Sequence, residues 1–296
     1  MSSNVIRNKE LETPLVYKKK INKKRRAKLW VSRLFLWVSI LIIVFPIWAI
    51  ISASLSPGTS FYENGIIPKA VTFDNYKYIF QETDFLIWIK NSLIVCLFVS
   101  IVQVIMTLPA AYAFSRLKFA GKKYGLMTLL ILQMFPATMA IPAILSIAYK
   151  LPFGMDNIPF LIVVLCGSSA YNIWLMKGFV DGIPKELDES GYVDGASHFT
   201  IFIKIILPLS VPMLIVIFFF SFIGTFGEFM ISAALLKAPE VKTLMLGLNG
   251  MMNSGSTTSW PIYAAASIVS TIPIMIIFIS IQKFIAKGLV AGAVKE

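Results

Sequence analysis

Side chains equipped for chemistry are scarce in this chain of 296 residues, which holds one histidine, two cysteines and 15 carboxylates against 27 lysines and arginines. His198 stands alone at a helix start, the setting of a structural histidine. Cys96 and Cys166 lie inside apolar runs without pairing or metal spacing and read as packing residues. Gly121-Lys122 lacks the upstream glycine and the following Ser or Thr of a phosphate-binding loop. There is no Ser/His/Asp arrangement and no cluster of metal ligands, so no catalytic residue, metal or cofactor is expected, and any ATP that drives the chain must be hydrolysed by another. The carboxylates can act electrostatically instead. Asp181, Glu186, Asp188, Glu189 and Asp194 gather between residues 178 and 205, a net acidic island that suits a basic protein partner.

That island must be held by the elements around it, and those are apolar. Hydrophobic residues make up 57% of the chain and charged residues 14%, about half the charge of a soluble domain. Six runs near Ser32–Ser54, Asn91–Ser115, Tyr124–Ala148, Pro159–Met176, Ile205–Ser232 and Ile262–Ile281 are long enough to cross a hydrocarbon core. The expected fold is an all-α polytopic membrane protein with six transmembrane helices. The fourth run is the weakest, because Ser168, Ser169 and Asn172 interrupt it and need partners among other helices. Pro136 and Pro142 should kink the third run and Pro273 the sixth.

Lysines and arginines crowd the first 33 residues, the short connection around Arg116–Lys123, and the end of the chain. The positive-inside rule then puts both termini and the acidic island in the cytoplasm of a multi-pass plasma-membrane protein. The net charge of +12 is therefore a topology signal that engages membrane lipid, and no nucleic acid partner is expected. The basic tail runs into an apolar stretch too long for a cleavable signal, and it reads as disordered. The divisions expected are a tail over 1–30, a first helix and external segment over 31–90, a core over 91–281 and a C-terminal tail over 282–296. The external part, Leu55–Lys90, should be a partly ordered cap with short interfacial helices.

The island has the pattern of two short helices joined at a glycine. Pro184 suits a first helical position, Gly195 can take the left-handed backbone that ends a helix, and Ser197 can cap the next. Phe199, Phe202, Ile203 and Ile206 then recur at helical spacing toward the membrane. Glu189, Gly195 and, further on, Leu207-Pro208 resemble the EAA loop of inner-membrane permeases of bacterial ABC importers. Ser190 and Gly191 stand where that family usually has two alanines. Asn91-Ser92-Leu93-Ile94, the stretch Ala110–Arg116, Gln133–Ala137, Leu207–Pro212 and the C-terminal Lys287–Lys295 extend the likeness over nearly the whole chain after Trp30. Together they resemble the maltose/maltodextrin permease family, MalG type.

The resemblance implies a type I ABC importer permease fold, with residues 178–205 as a coupling loop that docks on the ATPase through Glu186, Glu189, Ser190, Gly191, Asp194, Gly195 and Ala196. It implies a second permease of MalF type, two ATP-binding cassette subunits and an extracellular sugar-binding protein as partners. Asn249, Gly250, Met251, Met252, Asn253 and Ser254, read as a flexible external loop with two exposed methionines, would probe that binding protein. An oligosaccharide needs a cavity opened to each side in turn, offering aromatic faces and amides. Gln133, Tyr171, Asn172, Ser221 and Thr225 are the candidates for a translocation path, together with Gln103 and Trp174. Each could equally serve in helix–helix hydrogen bonds, and in the resembling family the sugar site lies largely on the partner permease. Glu228, deep in the fifth run, could pair with Lys237. Galacto-oligosaccharides are an alternative cargo. An ion-coupled secondary transporter would bury ionisable groups near the membrane centre, where these core helices hold almost none, and a membrane scaffold is a third reading.

Overall fold

A computed structural model describes residues 23–59, 70–253 and 259–293, and every regular element among them is helical. The chain divides into two compact units at Ala49 and Ile50. The described part of the first unit is most of α1, Lys23–Ser54. This helix begins inside the basic tail that was read as disordered; residues 1–22 lie outside the described part. Its apolar side chains are exposed, among them Phe35, Trp37 and Leu41, as befits a surface facing lipid.

The second unit holds the remaining elements. Helix α2, Asp74–Gln81, supplies the short helix expected in the segment after α1. Its Asn75 amide donates to the carbonyls of Ser54 and Ser56 at 2.9 and 3.0 Å, which ties α2 to the end of α1. Helix α3, Phe85–Arg116, starts six residues ahead of the predicted second run, since Phe85 and Trp88 are buried and extend its apolar face.

The third and fourth runs are broken, not continuous. Helix α4, Lys122–Gln133, and the segment Thr138–Ala148, which contains α5, Ile141–Ala148, meet at 83°. Pro136, two residues before the second segment, marks that break. Helices α6, Ile158–Cys166, and α7, Ala170–Asp181, meet at 48° across Gly167-Ser168-Ser169. Next come α8, Glu186–Val193, and α9, His198–Ile201, followed by a π-helical turn over Phe202–Ile206. The π turn runs into α10, Leu207–Phe226. The fifth run was expected to reach Ser232, but α10 ends at Phe226 and the short α11, Met230–Leu235, is separate. Helix α12, Leu244–Asn253, precedes the long α13, Trp260–Ala293, which contains Pro273 without a break in the helix.

Helix α3 is the centre of the unit, packing on α6, α7, α10 and α12. At its C-terminal half Leu108, Ala111 and Tyr112 join Met176, Val180, Ile201 and Ile206 in one apolar cluster with α7, α9 and α10. At its N-terminal end Phe85, Trp88 and Cys96 join Phe222, Phe226, Leu244 and Leu248 in another. The two ends of one helix thus sit in separate cores.

Candidate functional site

Four helices supply the bonded polar residues of the site, α3, α4, α7 and α10. Gln103 of α3, Asn172 of α7 and Ser221 of α10 are all buried and close a hydrogen-bonded triad. The Gln103 Oε1 atom accepts from Asn172 Nδ2 and from Ser221 Oγ, both at 2.8 Å, and Asn172 Nδ2 also donates to Ser221 Oγ at 3.0 Å. The remaining donor of Gln103 reaches the Leu165 carbonyl at 3.3 Å, close to the break after α6. Burial of an amide without partners costs about 1–3 kcal/mol, and these bonds engage both ends of the Gln103 amide, the Asn172 Nδ2 group and the Ser221 hydroxyl. Gln133, at the end of α4, accepts from the Tyr171 backbone N–H at 3.0 Å and so joins the third run to the start of α7.

These residues line one cavity of about 880 Å³, along with Tyr171, Thr225, Pro136, Thr138, Ser168, Gly227, Glu228 and Phe229. All five residues predicted for a translocation path are therefore brought together, and Gln103 joins them. Trp174 does not line it; its ring lies 6.0 Å from that of Tyr171. Three helix breaks open onto the cavity: Pro136 between α4 and α5, Ser168 between α6 and α7, and Gly227-Glu228-Phe229 between α10 and α11. Interrupted helix in a membrane protein is tolerated where it is buried or lines a cavity, and all three breaks meet here at one cavity.

Glu228 is the ionisable side chain in that lining. It does not pair with Lys237. Its carboxylate accepts from the Ile231 and Ser232 N–H groups at 2.6 and 3.0 Å and from Ser232 Oγ at 2.5 Å, capping α11. Lys237 Nζ donates to the Ala233 carbonyl. The physical reason is local: the chain leaves the helix at Gly227, and a carboxylate beside the first turn of α11 satisfies N–H groups that no helical carbonyl reaches.

The acidic elbow follows α7. Helix α8 ends in a Schellman arrangement, with Ala196 N–H donating to the Gly191 carbonyl at 2.9 Å and Gly195 N–H to the Tyr192 carbonyl at 3.0 Å. Gly195 takes φ of +77°, and Ser197 Oγ accepts from Thr200 N–H at 3.2 Å to cap α9. Pro184 lies just ahead of the first turn of α8, not within it. Glu186, Glu189, Ser190 and Asp194 are exposed, as are Val193 and Phe199, at 88% and 73%. Gly191 instead faces inward, where an added Cβ would come within 3.0 Å of Ile201, and Ala196 is half-buried.

One pairing here escaped the sequence reading, that of Asp188 with Arg116. Asp188 points away from its exposed neighbours and its side chain is 7% accessible; the side chain of Arg116, at the end of α3, is 5% accessible. Arg116 Nε lies 2.5 Å from Asp188 Oδ2, an ionic contact and not an aligned hydrogen bond, and Asp188 Oδ1 has no hydrogen-bond partner. Arg116 Nη2 donates to the Ile183 carbonyl at 2.7 Å. Beside it, Ser115 Oγ donates to Asp181 Oδ1 at 2.6 Å, and Lys177 pairs with the other oxygen of Asp181 at 2.5 Å. The available signal was the spacing of Asp188, three residues ahead of buried Gly191 and so on the same helix face. The Gly-Lys pair rejected as a nucleotide loop also has a role here. Gly121 takes φ of +91°, and Lys122 Nζ donates to the carbonyls of Ser115 and Leu117 at 3.0 and 2.9 Å, closing the end of α3.

At the opposite end of α3, the segment expected as a flexible loop is partly helix. Asn249, Gly250, Met251, Met252 and Asn253 form the last turns of α12, whereas Ser254 to Thr258 lie outside the described residues. Asn249 and Gly250 are exposed, but both methionines are half-buried, and Met251 packs against the cluster around Trp88. Leu244, Leu248 and Met251 share one helical face, which is why the stretch folds back onto α3.

Residues 22–290 match the family described as the binding-protein-dependent transport system inner membrane component. The chain belongs to this family. It is 40% identical over 277 residues to the galactooligosaccharides transport system permease protein GanQ of Bacillus subtilis, covering 92% of this chain and 97% of that protein. It is 35% identical to the maltodextrin transport system permease protein MdxG of the same organism, over 88% of this chain and 94% of that one. Identity to the maltose/maltodextrin transport system permease protein MalG of Escherichia coli is 32%, with 92% and 98% covered. Among solved structures, a bacterial ABC transporter involved in import of the acidic polysaccharide alginate matches with a TM-score of 0.74 at 22% identity, covering 89% of this chain and 98% of that chain. The likeness establishes the type I fold of ABC importer permeases. Like the rest of its family, this permease is a multi-pass membrane protein and not itself an enzyme.

Proposed function

We propose that this permease carries oligosaccharides of the maltose/maltodextrin class across the plasma membrane as one of two permease subunits in an ATP-driven importer. The observation that carries the reading is the convergence of three helix breaks, a buried amide–hydroxyl triad and the exposed ring of Tyr171 on one cavity. Amides and hydroxyls match sugar hydroxyls, and an aromatic ring matches the apolar face of a pyranose. Gln103, Gln133, Tyr171, Asn172, Ser221 and Thr225 would line this subunit's share of the path, with a second permease of MalF type closing the other side.

In this reading the elbow is cytoplasmic and its exposed face, with Glu186, Glu189, Ser190, Asp194, Val193 and Phe199, docks on one of two ATPase subunits. Gly191, Gly195 and Ala196 shape the turn behind that face. Both termini are cytoplasmic, and the end of α12 from Asn249 onward faces the extracellular sugar-binding protein. Residues 91–281 form the transporting core, residues 31–90 an accessory module, and residues 1–30 and 282–296 the tails. The 40% identity to the galactooligosaccharide permease favours a second cargo, which differs in linkage and sugar and not in the chemistry needed to bind it. The test is ATP-dependent uptake of radiolabelled maltose, maltotriose and galacto-oligosaccharides by vesicles holding the complete importer. Uptake of maltodextrins supports the first reading and uptake of galacto-oligosaccharides alone the second. ATP-independent uptake driven by an ion gradient overturns both.

A further inference from the structure

Helix α3 runs from the elbow, past the cavity, to the start of α12. It has 32 residues, or about 48 Å at 1.5 Å per residue. Its last residue, Arg116, holds the elbow through Asp188 and the Ile183 carbonyl. About 20 Å back along the helix, Gln103 accepts two of the three bonds of the cavity triad. About 18 Å further, Asn91 donates to the carbonyls of Glu240 and Lys242 at 2.9 and 3.0 Å, and Ser92 Oγ accepts from Leu244 N–H at 2.8 Å. Those last bonds fix the start of α12, whose Gly247 lies so close to Trp88 that a Cβ there would come within 2.1 Å of the indole.

We propose that α3 is the rod along which movement of the elbow reaches the cavity and the far end of the molecule, and that Arg116 is the positioning residue that fastens elbow to rod. The fork of a guanidinium suits this task, since it holds a side chain of α8 and a backbone carbonyl of the preceding turn in one fixed geometry. An apolar contact lets neighbouring helices slide. A buried ionic contact that also grips the backbone does not, because displacing it would leave a charge without a partner in a dry site. The neighbouring Ser115–Asp181–Lys177 chain reinforces the same joint from α7. The exposed carboxylates of α8 meet a partner, whereas Asp188 turns inward and passes the motion on.

This inference rests on the transport reading, and its test separates the two. The complete importer is placed in vesicles as wild type, as Arg116→Gln, as Arg116→Lys and as the neutral double variant Arg116→Met with Asp188→Leu. The double variant leaves no unpaired buried charge, so membrane insertion and assembly are retained. ATP hydrolysed per sugar moved is measured, along with the labelling rate, with and without ATP, of a cysteine substituted for Thr225 in the cavity. Arg116→Gln and the double variant are expected to raise the ATP-to-sugar ratio about tenfold while ATPase subunits still co-purify. ATP should no longer change cavity labelling in them, and Arg116→Lys should fall between. A double variant with wild-type coupling and labelling overturns the proposal, as does one that fails to assemble, since the pair would then serve folding alone. If wild type shows ATP-dependent labelling but takes up none of the sugars, the substrate assignment fails, and loss of that labelling in the double variant still supports the rod.

Discussion

The two ends of α3 are fastened by different chemistry. At the elbow the joint is ionic, with Arg116 and Asp188 both nearly inaccessible and the Ile183 carbonyl held by the same guanidinium. At the far end it is neutral and runs from side chain to backbone, with Asn91 and Ser92 holding residues 240–244. A neutral amide bonded to carbonyls fixes position at little desolvation cost, and its loss is tolerable because water can replace it. A buried ion pair is poor value as stability but intolerant of any state in which one partner is missing. The elbow joint is thus all-or-none, and the far joint is graded. In the importer proposed above, that difference suits an input that must not slip and an output that must adjust to a partner's surface.

The sharpest way to break this comparison is Asp188→Ala. It strands the Arg116 guanidinium in a buried site, and a loss of about 3–5 kcal/mol is expected. The detergent-purified protein should melt markedly earlier and show low yield. The neutral double variant should recover most of that loss, since removing both charges leaves packing intact. An Asp188→Ala protein as stable as wild type would mean that the pair is hydrated, and the contrast between the two ends would collapse.

Gly247→Ala tests the far end by steric force instead of charge. The added methyl would enter the Trp88 ring, and Trp88 is buried, so either the indole rotates or α12 lifts away. Such overpacking costs typically about 1–3 kcal/mol. Tryptophan fluorescence should shift and the melting midpoint fall, with ATPase co-purification unchanged. An unchanged spectrum and midpoint would show that α12 does not sit on α3 in solution.

How much of this was legible depends on whether the signal was local. The elbow was, because Gly195, Ser197 and the apolar spacing after them are punctuation that acts within a few residues. The breaks at Pro136 and Ser168 had local markers too. The end of α10 did not. Phe226-Gly227-Glu228-Phe229 continues an apolar run, and the cue, a carboxylate four residues ahead of Ser232, gains meaning only once α11 turns to meet it. Asp188 and Arg116 were legible as charges but not as a pair, since nothing local says that the end of α3 returns to α8. In α12 the Gly, Asn and Met content suggested a loop, and packing of Leu244 and Leu248 on the cluster around Trp88 prevailed over it.

Gly195→Val sharpens the input side. No atom lies within 4 Å of the missing Cβ, so the expected cost is backbone strain alone, about 1–2 kcal/mol for a side chain in the left-handed region. The Schellman end should loosen and α8 change its aim. ATPase capture in pull-downs should weaken, whereas Gly195→Asn, which tolerates this backbone, should be nearly silent. Equal capture by both variants would show that the turn does not govern docking. Glu189→Lys, at the exposed neighbour of Asp188, should impair capture and sugar-stimulated ATP hydrolysis without lowering the melting midpoint.

The smallest effect is expected from Asn91→Ala. It deletes two hydrogen bonds to the carbonyls of Glu240 and Lys242, but those residues are partly exposed and water can take over. Ser92 still holds Leu244, so the start of α12 is loosened and not released. A loss of about 1 kcal/mol follows, seen as a small drop in melting midpoint. Because the elbow joint is untouched, the ATP-to-sugar ratio at saturating sugar should stay near wild type. Uptake at low sugar, where capture from the binding protein limits, should fall first. A rise in that ratio as large as that of Arg116→Gln would mean that the far joint is as indispensable as the near one. In that case the distinction between an all-or-none input and a graded output would be lost, even though α3 would still connect them.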